Sequence, residues 1–171
     1  MPFVVEGLSG NHERRNFDCG VAVLDRYLKE QAGQDARRRV SLCYVACEIG
    51  QKIVAGYYTL SAGDVPLQDI PDELARKLPR YPVVPIIRIG RLAVDRTFQG
   101  RRLGAALLWD AAMRALRAEM GVFALAVDAK DEAASAFYRN FGFQPFASAP
   151  DQLILPLATF AKVAGAPGSG A

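Results

Sequence analysis

Apolar positions along the chain recur with a period of two in some stretches and of three to four in others, and the changes of period mark out its elements. "FVVEGL" (Phe3–Leu8) alternates and predicts a first, edge-like strand. Behind Asp18, a residue suited to cap a helix start, Val21, Leu24 and Leu28 recur at helical spacing. Gly33 predicts a break into two short helices, the second ending in Arg37-Arg38-Arg39. "SLCYVACEIGQKIVAGYYTLSA" is β-branched and aromatic on both sides of "EIGQK", the pattern of a hairpin pairing Leu42–Glu48 with Ile53–Ser61. "DIPDELARKLP" predicts a short helix capped by Asp69 and stopped by Pro79.

The three prolines of "PRYPVVP" force an extended lead into an apolar strand over Ile86–Val94. A helix is predicted from Arg101 to Met120. In it Leu103, Leu107 and Ala111 share one side with Leu108, Ala112 and Leu116, and Asp110, Arg114 and Arg117 form a polar stripe. Trp109 lies inside this helix and reads as a packing residue. "VFALAVDA" is a buried strand, "DEAASAFYRN" a short helix ended at Gly142, and "LILPL" a last strand. This order predicts an α/β (α+β) fold: a mixed, mostly antiparallel sheet flanked by helices, with a βαβ unit at the back. With no repeat and no linker, the expectation is one domain over residues 1–163, followed by a disordered small-residue tail, "AGAPGSGA", at 164–171.

Composition adds exclusions. A net charge of +3 is too mild to imply general nucleic-acid binding, so only clustered arginines could support it. Cys19, Cys43 and Cys47 are odd in number and lack metal-ligand spacing with the single His12. They read as reduced thiols without a metal, and His12, lacking a partner pattern, reads as structural. No apolar run approaches the roughly 18 residues of a membrane span, and the N-terminus carries no basic-then-apolar secretion signal, so a cytoplasmic location is expected.

The chemistry concentrates in "QGRRLGAALL", Gln99–Leu108, where two glycines and two arginines open a helix. Helix starts expose unpaired N–H groups and partial positive charge, so an anion is the expected guest. A P-loop is excluded, because no Gly-Lys-Ser/Thr follows the turn. A dinucleotide fingerprint fails on its glycine pattern, although Asp128 lies near the right place. A purely structural turn and a pyrophosphate cradle both remain.

"VDRTFQGRRLGAALL" after "IGRLAV" resembles the acetyl-CoA-binding motif of the GNAT superfamily of N-acetyltransferases. "DEAASAFYRNFGF", about 30 residues on, resembles that superfamily's second signature. With "FDCGVAVLDRYL", "GYYTLSA", "LPRYPVVP" and "RLAVD", the resemblance extends to the acetyltransferase toxins of bacterial toxin–antitoxin pairs and covers about Phe17–Leu157. It implies that Gln99, Gly100, Arg101, Arg102, Leu103, Gly104 and Ala105 surround the cofactor pyrophosphate. It also implies that Leu92, Ala93 and Val94 run beside the pantetheine arm, with Phe137 near it. Arg102 departs from the pattern, standing where the superfamily usually has a glycine, so the turn must take a conformation that an L-residue tolerates. Asp131 departs as well, replacing the usual Asn, and no cofactor contact is carried over to it.

Tyr138 is the candidate catalyst. Its spacing with Ala134, Phe137 and Phe141 also fits a core stripe. The resemblance implies instead that its hydroxyl serves the thioester sulfur, protonating the departing thiolate. Asp128, Asp131 and Glu132 are the acidic neighbours, each equally readable as a cap or a solvated residue. Without a dedicated base, an α-amine acceptor (pKa about 7.7–8.0) suits the site better than a lysine (about 10.4). The toxins of the resemblance acetylate aminoacyl-tRNA and pair with a small DNA-binding antitoxin. Arg37, Arg38 and Arg39, and separately Arg76, Lys77 and Arg80 with Tyr81, are the basic patches that could meet RNA phosphates, or equally be solvated faces. A protein N-terminus or small amine is the alternative acceptor, and a non-catalytic acetyl-CoA-binding module the alternative class. Oligomeric state is left open, a homodimer included.

Overall fold

The computed structural model describes residues 2–165. Seven strands run in the hydrogen-bonded order β1-β2-β3-β4-β5-β7-β6. Residues up to Ser61 with Gly90–Ala111 form one compact unit, and Ala62–Ile89 with the residues from Ala112 onward form another. Strands β3 (Gly56–Pro66) and β4 (Val83–Val94) and helix α4 (Leu103–Leu116) each pass from one unit into the other.

In the first unit, β1 (Phe3–Gly7), β2 (Leu42–Glu48) and β3 are antiparallel neighbours, in a register that sets Phe3 opposite Glu48 and Cys43 opposite Thr59. The strand over Phe3–Gly7 stands at the sheet edge, where its alternating pattern places it. The hairpin is present, but its second strand starts at Gly56, because the Val54 amide bonds to the Glu13 carbonyl (2.9 Å) and Ile53 bridges Glu13 instead. The helical segment differs from expectation at both ends and in the middle. Helix α1 (Ala22–Arg26) starts at Val21 with no side-chain cap, while Asp18 accepts from the Gly20 amide at 3.0 Å. A π-helical turn, Tyr27–Gln31, then joins α1 to α2 (Ala32–Arg37) without a break, and Gly33 lies inside α2. Only Arg37 of the arginine run is helical: Arg38 is the C-cap, and Arg39 turns left-handed at φ 60°. The Arg39 and Val40 amides return to the Ala36 and Asp35 carbonyls, closing the helix as a glycine usually would.

One face of this sheet packs Phe17, Tyr27, Leu28, Ala32 and Val54 against Cys43, Val45, Cys47 and Tyr57. The three cysteines are free thiols, and burial raises the Cys43 thiol to about 12. His12 is buried and structural: its Nδ1 accepts from the Ser9 amide (2.9 Å), so its Nε2 donates to Glu6 (2.8 Å). Trp109 is 42% exposed, so it packs only in part; the fully buried positions of α4 include Leu107, Leu108, Ala111 and Ala112.

In the second unit, β4 pairs in parallel with β5 (Ala124–Asp128), Ile86 opposite Ala124. Strand β7 (Gln152–Pro156) runs antiparallel between β5 and the short β6 (Gln144–Pro145). Val65, Ile70, Val84, Ile86, Ala126, Phe146 and Ile154 form its core. The short helix α3 (Asp72–Ala75) begins at Pro71, not at Asp69, whose carboxylate accepts from the Ser148 hydroxyl at 3.0 Å. Helix α4 stops at Leu116, short of Met120, because no residue beyond Ala115 in that stretch is buried. Helix α5 (Glu132–Phe141) ends at Gly142, as its sequence predicts. Helix α6 (Leu157–Ala164), which the patterning does not indicate, buries Leu157, Phe160 and Ala161; Gly165 caps it, and the rest of the expected tail lies outside the described residues. Among the described residues no helix is long and apolar enough to cross a membrane.

Gly56 marks a close approach of backbone inside the first unit. A Cβ there would meet Leu107 Cδ1 at 2.9 Å and the Ala93 carbonyl oxygen at 3.0 Å, and the backbone oxygen cannot move aside. Gly56→Ala is expected to destabilise the protein by about 1–3 kcal/mol through this overpacking. Urea denaturation should show a lower midpoint at unchanged slope; an unchanged midpoint would refute the close approach.

Candidate active site

Strand β4 ends at Val94, a short 3₁₀ turn follows over Arg96–Phe98, and α4 starts at Leu103. Between them Gly100 (φ 81°) and Arg102 (φ 60°) are both left-handed. Arg102 therefore keeps the glycine-like backbone, at a cost of roughly 1–2 kcal/mol for an L-residue. The effect is on the amides. Among the described residues no backbone acceptor takes the N–H groups of Gly100 to Ala105, and the first bond into the helix is from the Ala106 amide to the Arg102 carbonyl (3.2 Å). Successive unpaired amides in a turn, at the start of a 14-residue helix, form a concavity suited to an anion. A hypothetical Cβ on Gly100 would meet nothing within 4 Å, so the mouth of the turn is open.

The residues around this concavity do different things. Leu103 is fully buried and anchors the helix start, contributing only its amide. Gln99 is a brace: its side-chain amide donates to the Val94 carbonyl (3.0 Å) and reaches the Cys19 carbonyl (3.4 Å). Arg101 is engaged elsewhere, near Glu48 (3.7 Å) and over the rings of Phe3 and Phe98. Arg102 is exposed with no ion-pair partner among the described residues. Ala93 is buried, and Leu92 and Val94 are half-buried along the end of β4.

Asp95 does not stand out in the sequence, although Asp-x-Thr after an apolar strand is a turn signal. Its carboxylate accepts from the amides of Asp18 and Thr97 (2.9 Å each) and from the Thr97 hydroxyl. Burial pushes its pKa up, but these hydrogen bonds outweigh it and hold the group below the usual carboxylate value.

Tyr138 lies on α5 in the second unit and is 7% exposed. Its ring sits edge-on to Phe137 and Phe143 at 5.1 and 5.4 Å, so the core-stripe reading of its ring is correct. Its hydroxyl is another matter. The other three buried tyrosines engage theirs: Tyr27 donates to Asp35, Tyr57 to the Leu24 carbonyl and Tyr58 to Asp110. Tyr138 has no hydrogen-bond partner among the described residues, and burial alone raises its pKa to about 12. Ser135, one turn earlier, carries a buried hydroxyl without a partner, as does Thr59 on β3.

None of the acidic neighbours is poised as a base. Asp131 caps α5 through the Ala134 amide (2.8 Å), Asp128 faces Arg88 at 3.4 Å, and Glu132 is exposed. Arg37, Arg38 and Arg39 are exposed in the first unit; Arg76, Lys77 and Arg80 are exposed in the second. Tyr81 is 68% exposed on the second unit. Among the described residues no group of three or more His, Cys, Asp or Glu could hold a metal ion.

Residues 10–143 match the model of the acetyltransferase (GNAT) family. The chain is 39% identical over 142 residues to a tRNA-acetylating toxin of Mycobacterium tuberculosis, covering 82% of this chain and 83% of that one. It is 27% identical to the probable toxin TacT of Sinorhizobium fredii, over 95% of each. Among solved structures it is similar to AtaT complexed with acetyl-methionyl-tRNAfMet (TM-score 0.88, 28% identity, 94% of this chain and 98% of that chain). It is also similar to AtaTR bound with acetyl-CoA (TM-score 0.82, 28% identity, 95% and 98%). The open turn of unpaired amides, the tyrosine signature and these matches lead to one conclusion: the chain belongs to the acetyltransferase (GNAT) family.

Proposed function

We propose that this protein is the toxin of a toxin–antitoxin pair, a cytoplasmic N-acetyltransferase that uses acetyl-CoA to acetylate the α-amino group of aminoacyl-tRNA and so blocks translation. The observation that carries the reading is the Tyr138 hydroxyl, which has no hydrogen-bond partner among the described residues although the residue as a whole is buried. The similarity to a tRNA-acetylating toxin and to AtaT with acetyl-methionyl-tRNA supports the acceptor. The similarity to a KacTA–DNA complex supports a DNA-binding antitoxin as partner (TM-score 0.79, 25% identity).

Acetyl-CoA supplies a thioester whose sulfur leaves as a thiolate with a pKa near that of cysteine, about 8.5. The amides of Gly100–Ala105 fit its pyrophosphate, since they lack acceptors and curl around an open turn. The exposed Arg102 guanidinium would add charge beside them, and Leu92–Val94 would line the pantetheine arm. Tyr138 holds its proton throughout the working pH range and delivers it to the departing sulfur, the phenolate then regaining a proton from the newly bonded amine. No carboxylate of α5 serves as base, which suits an amine that is already largely neutral near pH 8.

Three results are expected. Gly104→Glu places bulk and negative charge in the cradle, so isothermal titration should find acetyl-CoA binding abolished in a folded protein; retained affinity would remove the cradle. Tyr138→Phe should leave stability and acetyl-CoA affinity nearly unchanged while turnover falls by roughly 10²–10⁴. In the wild type, kcat/KM should rise with the acceptor amine and stay level to about pH 10, because the phenol does not ionise until about 12; normal turnover in the variant would return Tyr138 to a core aromatic. Finally, changing Arg37, Arg38 and Arg39 to Ala should flatten the plot of log affinity for charged tRNA against log salt by roughly 0.7–0.9 for each phosphate that is no longer engaged. Identical slopes would shift the RNA-binding role to Arg76, Lys77, Arg80 and Tyr81.

A further inference from the structure

Arg91 directly precedes the Leu92–Val94 segment of β4. Its guanidinium lies 3.5 Å from the centre of the Tyr27 ring, close enough to that face to be held by cation–π attraction. Tyr27 is itself fixed. Its hydroxyl donates to Asp35 at 2.8 Å, and its ring stacks on Tyr57 with 17° between planes. The π-helical turn that starts at Tyr27 is the local irregularity in this helix, a form that recurs at functional sites.

Among the described residues no carboxylate touches the Arg91 guanidinium, although its charge helps the hydrogen bonds to Asp35 hold that carboxyl below its usual value. Asp35, the carboxylate bound to Tyr27, accepts from Tyr27 and from Gln31 (2.9 Å), and no ion pair or hydrogen bond to Arg91 occurs among the described residues. The side chain is half-buried, and none of its nitrogens is fully enclosed. A cation that is stacked in one orientation, partly desolvated and not hydrogen-bonded has its donors free for an anion. Position supplies the rest. A strand rises about 3.3 Å per residue, so Arg91 lies about 10 Å back along β4 from Val94, away from the pyrophosphate turn. If Leu92–Val94 follow the pantetheine, Arg91 stands at the thioester end, where the acceptor amine must arrive.

We propose that Arg91, seated on Tyr27, binds a backbone phosphate at the 3′ end of the RNA acceptor and so positions the aminoacyl amine. This rests on the aminoacyl-tRNA reading. Arg37–Arg39 and Arg76–Arg80 would then give general attraction to RNA, and Arg91 would give local register.

The test compares two acceptors, aminoacyl-tRNA and the phosphate-free 3′-aminoacyl-adenosine, using wild type, Arg91→Gln and Arg91→Lys. Arg91→Gln should raise KM for aminoacyl-tRNA by about 10- to 100-fold, the range expected for removing one hydrogen-bonded charge partner. It should leave KM for aminoacyl-adenosine and the affinity for acetyl-CoA unchanged, which also reports that the variant is folded. Arg91→Lys keeps the charge without the planar fork and should fall between. An unchanged KM for tRNA, or equal losses on both acceptors, would overturn the phosphate role, the second outcome making the stack structural. A wild-type protein that leaves aminoacyl-tRNA unacetylated would overturn the functional reading and this role together, whereas an active wild type matched by Arg91→Gln overturns this role alone.

Discussion

The Asp95 carboxylate is the constraint around which the open turn before α4 is arranged. It gathers the amides of Asp18 and Thr97 and the Thr97 hydroxyl at the end of β4, while its own amide bonds to the Ala55 carbonyl at 2.8 Å. Hydrogen bonds to a charged acceptor contribute roughly 1.5–3 kcal/mol each, more than the left-handed Arg102 costs. Gln99 closes the other side by holding the Val94 carbonyl. With both flanks fixed, the amides from Gly100 to Ala105 have no backbone acceptor to collapse onto among the described residues. An open set of donors is kept open by a neighbouring set that is satisfied.

The chain twice puts arginine where glycine is the usual solution. Arg39 and Arg102 both have φ near 60°, one ending α2 and the other preceding α4, and both are exposed. Each carries the strain of an L-residue in the left-handed region and gains a cation at a helix boundary. At the end of α2 that cation lies near the negative end of the helix dipole, which is favourable. Before α4 it lies near the positive end, which is unfavourable until an anion arrives. The second placement has a physical rationale only if something negative binds there.

The four buried tyrosines show how one residue type divides its work by the partner of its hydroxyl. Tyr57 and Tyr58 tie strand β3 to Leu24 and to Asp110, and Tyr27 uses Asp35 to hold a platform for Arg91. Tyr138 contributes its ring to packing and keeps its oxygen unengaged. Ring burial alone would have assigned all four to the core.

The order of elements, the hairpin, the α5 helix ending at Gly142 and the glycine-arginine turn were legible in the sequence because each depends on local periodicity or turn chemistry. The two signatures located the turn and Tyr138 for the same reason: their residues are close along the chain. What the sequence could not carry were outcomes of competition between distant groups. Asp18 and Asp69 looked like helix caps, yet Asp18 turned to Gly20 and Asp69 to Ser148. Gly33 looked like a break, yet packing of Tyr27 and Leu28 carried the helix through as a π turn. Arg101 and Arg102 looked alike, yet Glu48, Phe3 and Phe98 claim one and leave the other exposed. Which polar group remains free is decided only after every neighbour has found its partner, and those neighbours come together only in the folded chain.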